Sequence, residues 1–183
     1  MCSSDLITRA DRLNARMAET LAGLGCFRVW IGSESGSQRI LDAMRRGVKV
    51  EQVREAVALC RDSGIQTGMF LMFGYEGEEL SDIEATVEHV KACLPDVFLT
   101  TVSYPIKGTP YYEQVAPRLV AIQDWAHSSD RELKIAGRHS RRYFQFADQL
   151  LKSEVARLKT GHDDGEVAAA RRGLQESFHE VEA

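Results

Sequence analysis

Cys26-Phe27-Arg28-Val29-Trp30-Ile31, followed at once by Gly32-Ser33-Glu34-Ser35-Gly36-Ser37, decides the fold. The first six residues are rich in β-branched and aromatic side chains and run into a glycine, the pattern of a buried strand. The next six are small and hydroxylic around one carboxylate, and Ile40, Leu41 and Met44 after them mark a helical stretch. A strand passing through a tight polar turn into a helix is one unit of an α/β fold.

Outward from this unit the pattern repeats. Upstream, Leu13, Met17, Leu21 and Leu24 recur at helical spacing, with Asp11 as the expected N-cap and Gly25 as the stop. Leu6 to Thr8 reads as the stub of an earlier strand. Downstream, Val53, Val57 and Cys60 share one face of a helix predicted over residues 50–63, Gly64 ends it, and residues 67–73 form an apolar strand closed by Gly74. Ser81 and Glu84 have capping-box spacing and open a third helix with Ile83, Val87, Val90 and Leu94 on its buried face. Pro95 follows its end, and residues 97–102 form the next strand.

Strands alternating with helices at this spacing imply parallel pairing through right-handed crossovers, hence an α/β layer. Three complete strands and a stub leave open edges, so the sheet is expected to continue or to close into a barrel. Beyond Tyr112 the pattern gives way to an irregular polar connection through Ser128-Ser129-Asp130. A long helix is then predicted over residues 139–158, with Tyr143, Phe146, Leu150, Leu151, Val155 and Leu158 as its apolar positions. The tail after Gly161 reads as an exposed helix or a partly disordered segment.

The chain has 183 residues, of which 44% are hydrophobic and 27% charged, enough to bury one core plus extra helix. A net charge of -4 gives no basic field that would draw it to nucleic acid or an anionic membrane, so no nucleic-acid partner is expected. The longest apolar run, residues 69–73, is far too short to span a bilayer, and no signal-peptide pattern is seen. A cytoplasmic location is the expectation. Cys2, Cys26, Cys60 and Cys93 are widely spaced; the last three sit at strand-entry or buried-helix positions and are expected to pack as small hydrophobes. The five histidines are scattered, and the basic cluster Arg138-His139-Ser140-Arg141-Arg142 suits either a substrate anion or the solvated start of a helix.

In parallel α/β folds ligands sit beyond the carboxyl ends of the strands. Three loops occupy that position: Gly32 to Ser37, Gly74-Tyr75-Glu76-Gly77-Glu78, and Ser103-Tyr104-Pro105-Ile106-Lys107-Gly108-Thr109-Pro110. A carboxylate among hydroxyls, as at Glu34, suits ribose or ammonium hydrogen bonds. Taken alone, Glu34 at a helix start would as readily stabilise the helix dipole.

Together these loops resemble those of radical S-adenosylmethionine proteins, especially the group carrying a cobalamin-binding domain, over about residues 7–115. The family's strand-four signature, Gly-x-Glu-Ser-Gly-Ser followed by Arg-Ile-Leu-Asp-x-Met, is matched at Gly32, Glu34 to Ser37 and Arg39 to Met44. Its Gly-Leu-Pro-Gly-Glu is matched at Gly74, Gly77 and Glu78 but not at Tyr75 and Glu76; its Tyr-Pro-Gly-Thr-Pro is interrupted here by Ile106 and Lys107. The resemblance implies a fold class of α/β, a partial (β/α)6 TIM-like barrel with a C-terminal helical appendage. It also implies a half-site for S-adenosylmethionine: Glu34, Ser35 and Ser37 toward the ribose or amino-acid end, Met72 and Gly74 with Tyr104 and Pro105 bordering the adenine, and Arg9 pairing with the cofactor carboxylate.

The family's Cys-x-x-x-Cys-x-x-Cys, which holds a 4Fe-4S cluster, is absent from the chain. The cluster and cobalamin are therefore expected only in a longer parent, and this polypeptide alone is expected to be inactive as a radical enzyme. Met1 to Leu6 can be encoded as GTG TGC TCT TCC GAT CT, the end of a widely used sequencing adapter. The expected organisation is a non-native start at residues 1–6, barrel at 7–115, helical appendage at 116–160 and polar tail at 161–183. The expected partners are an unidentified small-molecule substrate and the missing N-terminal half of the same barrel, with no membrane span. Methyl transfer or rearrangement is the leading reading; a fragment of a tRNA-modifying radical enzyme and a non-catalytic α/β module that binds a nucleotide or a partner are the alternatives.

Overall fold

Alternating helical and strand periods produce alternating helices and strands. In the computed structural model, which describes residues 4–120, 133–161 and 164–181, β1 (Ser4–Thr8), β2 (Cys26–Glu34), β3 (Gln66–Phe73) and β4 (Val97–Val102) lie side by side in that order, all parallel. Between them run α1 (Ala15–Gly23), α2 (Gln38–Ala43), α3 (Val50–Asp62) and α4 (Leu80–Cys93); after β4 come α5 (Pro110–Val115), the short antiparallel pair β5 (Leu119–Val120) and β6 (Lys134–Ile135), α6 (Arg141–Thr160) and α7 (Asp164–Glu176). The fold is the expected α/β layer with C-terminal helices. The expected connection at Ser128-Ser129-Asp130 lies outside the described residues.

Helices close one face of the sheet. Val29, Ile31, Met69, Leu71 and Phe73 of the strands pack with Val53, Val57 and Cys60 of α3, Ile83, Val87 and Val90 of α4, and Tyr143, Phe144, Leu150 and Leu151 of α6. Each large aliphatic side chain buried here contributes about 1.5–3 kcal/mol. Cys26, Cys60 and Cys93 are buried in this core, as their positions predict.

Local capping chemistry sets helix ends that differ from the periodic pattern. The amide of Met17 donates to Asn14 Oδ1 (2.9 Å), so α1 starts after Asn14, whereas Asp11 lies in a one-turn 3-10 helix and accepts two hydrogen bonds from Arg9. The capping box of α4 is Glu79 with Asp82, not Ser81 with Glu84: the Glu79 amide donates to Asp82 Oδ2 (2.8 Å). Leu94, expected on the buried face, ends that helix at φ 43° and is exposed. β1 includes Ser4 and Asp5, two residues more than the predicted stub, and Asp5 Oδ2 accepts from Trp30 Nε1 (3.2 Å). The tail forms a packed helix, since Ala170, Gly173 and Leu174 are buried and a Cβ on Gly173 would come 2.4 Å from the Phe146 ring.

Among the described residues nothing covers the other face of the sheet. It presents Ile7, 70% exposed, and Leu99, 53% exposed, on either side of Trp30 and Phe70, whose rings stack at 4.8 Å. Trp30 lies so close over Gly68 that a Cβ there would fall 2.4 Å from its ring.

Candidate functional site

The site begins where β2 ends. Gly32 pairs with Phe70 and Glu34 with Leu71, so Ser33 is an extra residue in the ladder, and the strand runs on to Glu34 instead of stopping at Gly32. Such bulges bend a strand and re-aim its side chains. The Ser35 amide donates to Ser33 O across 2.7 Å, and Glu34 between them has φ 60°. A three-residue turn with positive φ at a non-glycine centre is the rare, strained form.

The turn divides its side chains between two sides. Ser33, Ser35 and Ser37 face α4: Ser33 Oγ lies 3.0 Å from His89 Nε2, Ser35 Oγ lies 3.2 Å from Thr86 Oγ1, and Ser37 Oγ donates to Asp82 Oδ1 at 2.6 Å. Glu34 points the other way and meets Arg46, NH2 to Oε1 2.8 Å. Burial raises the Glu34 carboxyl above its ordinary value, and the Arg46 charge opposes that shift. Gly32 makes room for the pair, because a Cβ there would stand 3.1 Å from both charged groups.

A cleft of about 210 Å³ opens over this pair, lined by Glu34, Met44, Arg46, Met72, Tyr75, Ser103, Tyr104, Ile106, Thr109 and Tyr111. Its floor is ordered by the second and third loops. Gly74, at φ 75°, has no space for a side chain against Phe144; its amide donates to Glu78 Oε2 (2.6 Å), and its carbonyl accepts from Ser103 Oγ (2.7 Å). Tyr75 and Tyr111 stack at 4.9 Å, with the Tyr75 hydroxyl donating to Ala43 O (3.3 Å) and the Tyr111 hydroxyl 3.1 Å from Ser103 Oγ. Glu78 is buried with its second oxygen unpartnered, and burial pushes its pKa up to about 8.

Of the residues predicted for the site, the structure gathers Glu34, Met72 and Tyr104 around one cleft. Gly74 and Pro105 are buried beside it in the second and third loops. Ser35 and Ser37 turn their hydroxyls into α4, and Arg9 is held in a two-point pair with Asp11 (2.9 and 3.0 Å). Arg46, Tyr75 and Tyr111 also line this cleft, and the sequence reading does not name them. The signal for Arg46 is its position two residues beyond Met44, where the strand-four motif ends; Tyr75 stands where the family motif is broken.

The family model for the radical SAM superfamily matches residues 3–90. These residues belong to the radical SAM superfamily. An uncharacterised methyltransferase of Pyrococcus horikoshii is 28% identical over 119 residues, 64% of this chain and 26% of that protein. A tRNA uridine(34) acetyltransferase of Methanocaldococcus infernus is 31% identical over 112 residues, 58% of this chain and 20% of that protein. The radical S-adenosylmethionine methyltransferase TsrM of Kitasatospora setae, solved with cobalamin and a 4Fe-4S cluster, superposes with a TM-score of 0.58 at 24% identity, over 62% of this chain and 21% of TsrM. TsrM solved with tryptophan and a SAM analogue superposes with a TM-score of 0.52 at 25% identity, over 64% of this chain and 24% of TsrM. The chain thus spans about a quarter or less of the length of these relatives.

A radical SAM cluster needs closely spaced thiolates. Cys26, Cys60 and Cys93 do not fit it: they are buried, and burial pushes the thiols of Cys60 and Cys93 up to about 11, so both stay neutral. Among the described residues no group of three or more His, Cys, Asp or Glu is arranged to hold a metal ion, and no helix is long and apolar enough to cross a membrane.

Proposed function

We propose that the cleft over β2–β4 is the part of an S-adenosylmethionine site that the second half of a radical SAM barrel supplies. The observation that carries this reading is the Glu34–Arg46 pair, 2.8 Å apart in a cleft whose lining includes Met72, Tyr75, Tyr104 and Tyr111. The amino-acid end of S-adenosylmethionine is an ammonium beside a carboxylate, which complements a carboxylate beside a guanidinium. Aromatic and thioether walls complement a purine face. Within the predicted set this gives ligand contact to Glu34, Met72 and Tyr104, and gives Gly74 and Pro105 the shaping of the wall.

The bare sheet face fits the same reading. Ile7, Trp30, Phe70 and Leu99 form the surface that the front half of a barrel would cover, and that half would also bring the cluster thiolates. The parent protein is then a radical SAM enzyme. The methyltransferase likenesses favour methyl transfer with cobalamin as the further cofactor. A tRNA-modifying parent is the second reading, favoured by the uridine acetyltransferase likeness at 31% identity.

Saturation-transfer NMR with S-adenosylmethionine tests the site. Transfer to the adenine and ribose protons is expected with the unaltered chain, unchanged in Arg9→Gln and lost in Glu34→Gln. No transfer to the unaltered chain, or full transfer to Glu34→Gln, overturns the reading. Retention of a tRNA transcript in a gel shift at moderate salt would move the assignment to the tRNA-modifying parent.

A further inference from the structure

Glu34 occupies a backbone conformation that side-chain-bearing residues adopt rarely, at φ 60° in a three-residue turn closed by the Ser35 amide on Ser33 O. Strain of this kind costs about 1–3 kcal/mol and persists only where the surroundings over-determine it. The residues on both sides of Glu34 are bound to the same helix. Ser33 Oγ meets His89 Nε2 at 3.0 Å, and the Gly36 amide and Ser35 Oγ both reach Thr86 Oγ1, at 2.9 and 3.2 Å. Gly36 allows this approach: a Cβ there would lie 2.5–2.6 Å from Ala85 O, Thr86 Cα and His89 Cβ.

We infer that His89 and Thr86 of α4 are positioning residues that hold the strained turn and so aim the Glu34 carboxylate into the cleft. His89 is fully buried, and Arg54 Nε donates to its Nδ1 (3.3 Å). With Nδ1 accepting, the neutral ring carries its proton on Nε2 and donates to Ser33 Oγ. Burial, reinforced by the Arg54 charge, pushes the His89 pKa down to about 4, so the ring keeps this single neutral form through the physiological range. Thr86 is fixed in turn by donating to Asp82 O (2.9 Å). A donor of one protonation state at one end and a locked hydroxyl at the other hold the backbone on both sides of Glu34.

The inference rests on Glu34 being the ligand carboxylate, but it is read without ligand through the 13C titration of the Glu34 carboxyl. In His89→Leu the turn relaxes, Glu34 leaves its partly buried position, and its pKa falls toward the ordinary carboxylate value. His89→Gln supplies an amide donor near the same place and restores the raised pKa. Val90→Ala, a core truncation on the same helix, lowers the melting temperature without moving the Glu34 titration. Should His89→Leu fail to fold, Ser33→Ala removes the same bond from the other side, and Thr86→Val removes the second anchor. A Glu34 titration unchanged in His89→Leu or Ser33→Ala, or shifted as far by Val90→Ala, overturns the inference. Failure of S-adenosylmethionine to bind the unaltered chain overturns the site assignment alone and leaves this titration decisive.

Discussion

Arg46 NH2 stands 2.8 Å from Glu34 Oε1 at the end of β2, and Gly32 leaves the space the two share. Burial and the guanidinium act in opposite directions on that carboxyl, with burial the larger. Replacing Arg46 by Met therefore raises the Glu34 pKa further, which 13C NMR of the carboxyl reads directly. A carboxyl whose folded pKa lies above its unfolded value stabilises the fold most below the unfolded value and loses that contribution as pH rises through the folded one. Arg46→Met should accordingly cost more stability at pH 8 than at pH 4, by about 1–3 kcal/mol for a charged hydrogen bond removed.

Gly36→Ala should be destabilising out of proportion to one methyl group. The added carbon meets Ala85 O and Thr86 Cα, backbone atoms of α4 that cannot rotate away. Overpacking of this kind costs about 1–3 kcal/mol, measurable as a lower urea midpoint at unchanged slope. Gly64→Ala has open space around its Cβ but sits at φ 72°, so comparing the two separates crowding from backbone strain.

Glu78 predicts a pH dependence of its own. Its folded pKa of about 8 lies above the ordinary 4.5, mainly through burial, with Asp82 adding to the shift and the Gly74 amide and Arg39 opposing it. Below 4.5 the group is protonated in both states; between 4.5 and 8 only the unfolded chain gives up the proton, so stability falls with rising pH. Glu78→Gln keeps an acceptor for the Gly74 amide and titrates in neither state. Urea titrations at pH 5 and pH 8.5 should show a clear loss for the unaltered chain and a much smaller one for Glu78→Gln.

The parts of this architecture that declare themselves in the sequence are those where one signal dominates. Residues 97–102 read as a strand to the residue because Pro95 and the end of α4 bound it, and Val53, Val57 and Cys60 read as a buried face because their spacing admits little else. The end of β2 is not legible: Gly32 looks like a stop, whereas it is a space-maker inside a bulged strand. Ser35 and Ser37 are ambiguous for a related reason, since a hydroxyl in a strand-end loop is equally suited to a cofactor and to a helix far along the chain, and only the fold brings Asp82 and Thr86 up to them. Arg9 shows the reverse case, in which Asp11 two residues away satisfies a guanidinium whose type alone points to a ligand. Ala170, Gly173 and Leu174 have helical spacing too, yet their composition reads as a solvated tail because the partner that buries them, Phe146 on α6, lies in a different segment.

The bare sheet face should make the chain prone to self-association. Ile7 and Leu99 are among its most exposed large hydrophobic residues on that face, and neither belongs to the core. Ile7→Lys combined with Leu99→Lys should reduce binding of a hydrophobic dye and shift a self-associated fraction toward monomer on size exclusion, with the melting temperature within a few degrees of the unaltered chain. Strong dye binding that persists in the double variant would place the sticky surface elsewhere.

At the close of β2 alternate residues serve opposite masters: Ser33 and Ser35 are bonded to the scaffold helix, while Gly32 and Glu34 belong to the cleft. Because side chains alternate with a period of two, a single-residue deletion between Val29 and Gly32 would exchange the two sets, delivering a carboxylate to the hydrophobic interior and a hydroxyl to the cleft. Point substitutions here can be graded and repaired, but indels cannot. Variation in chain length among relatives should therefore be purged within the strand before Glu34.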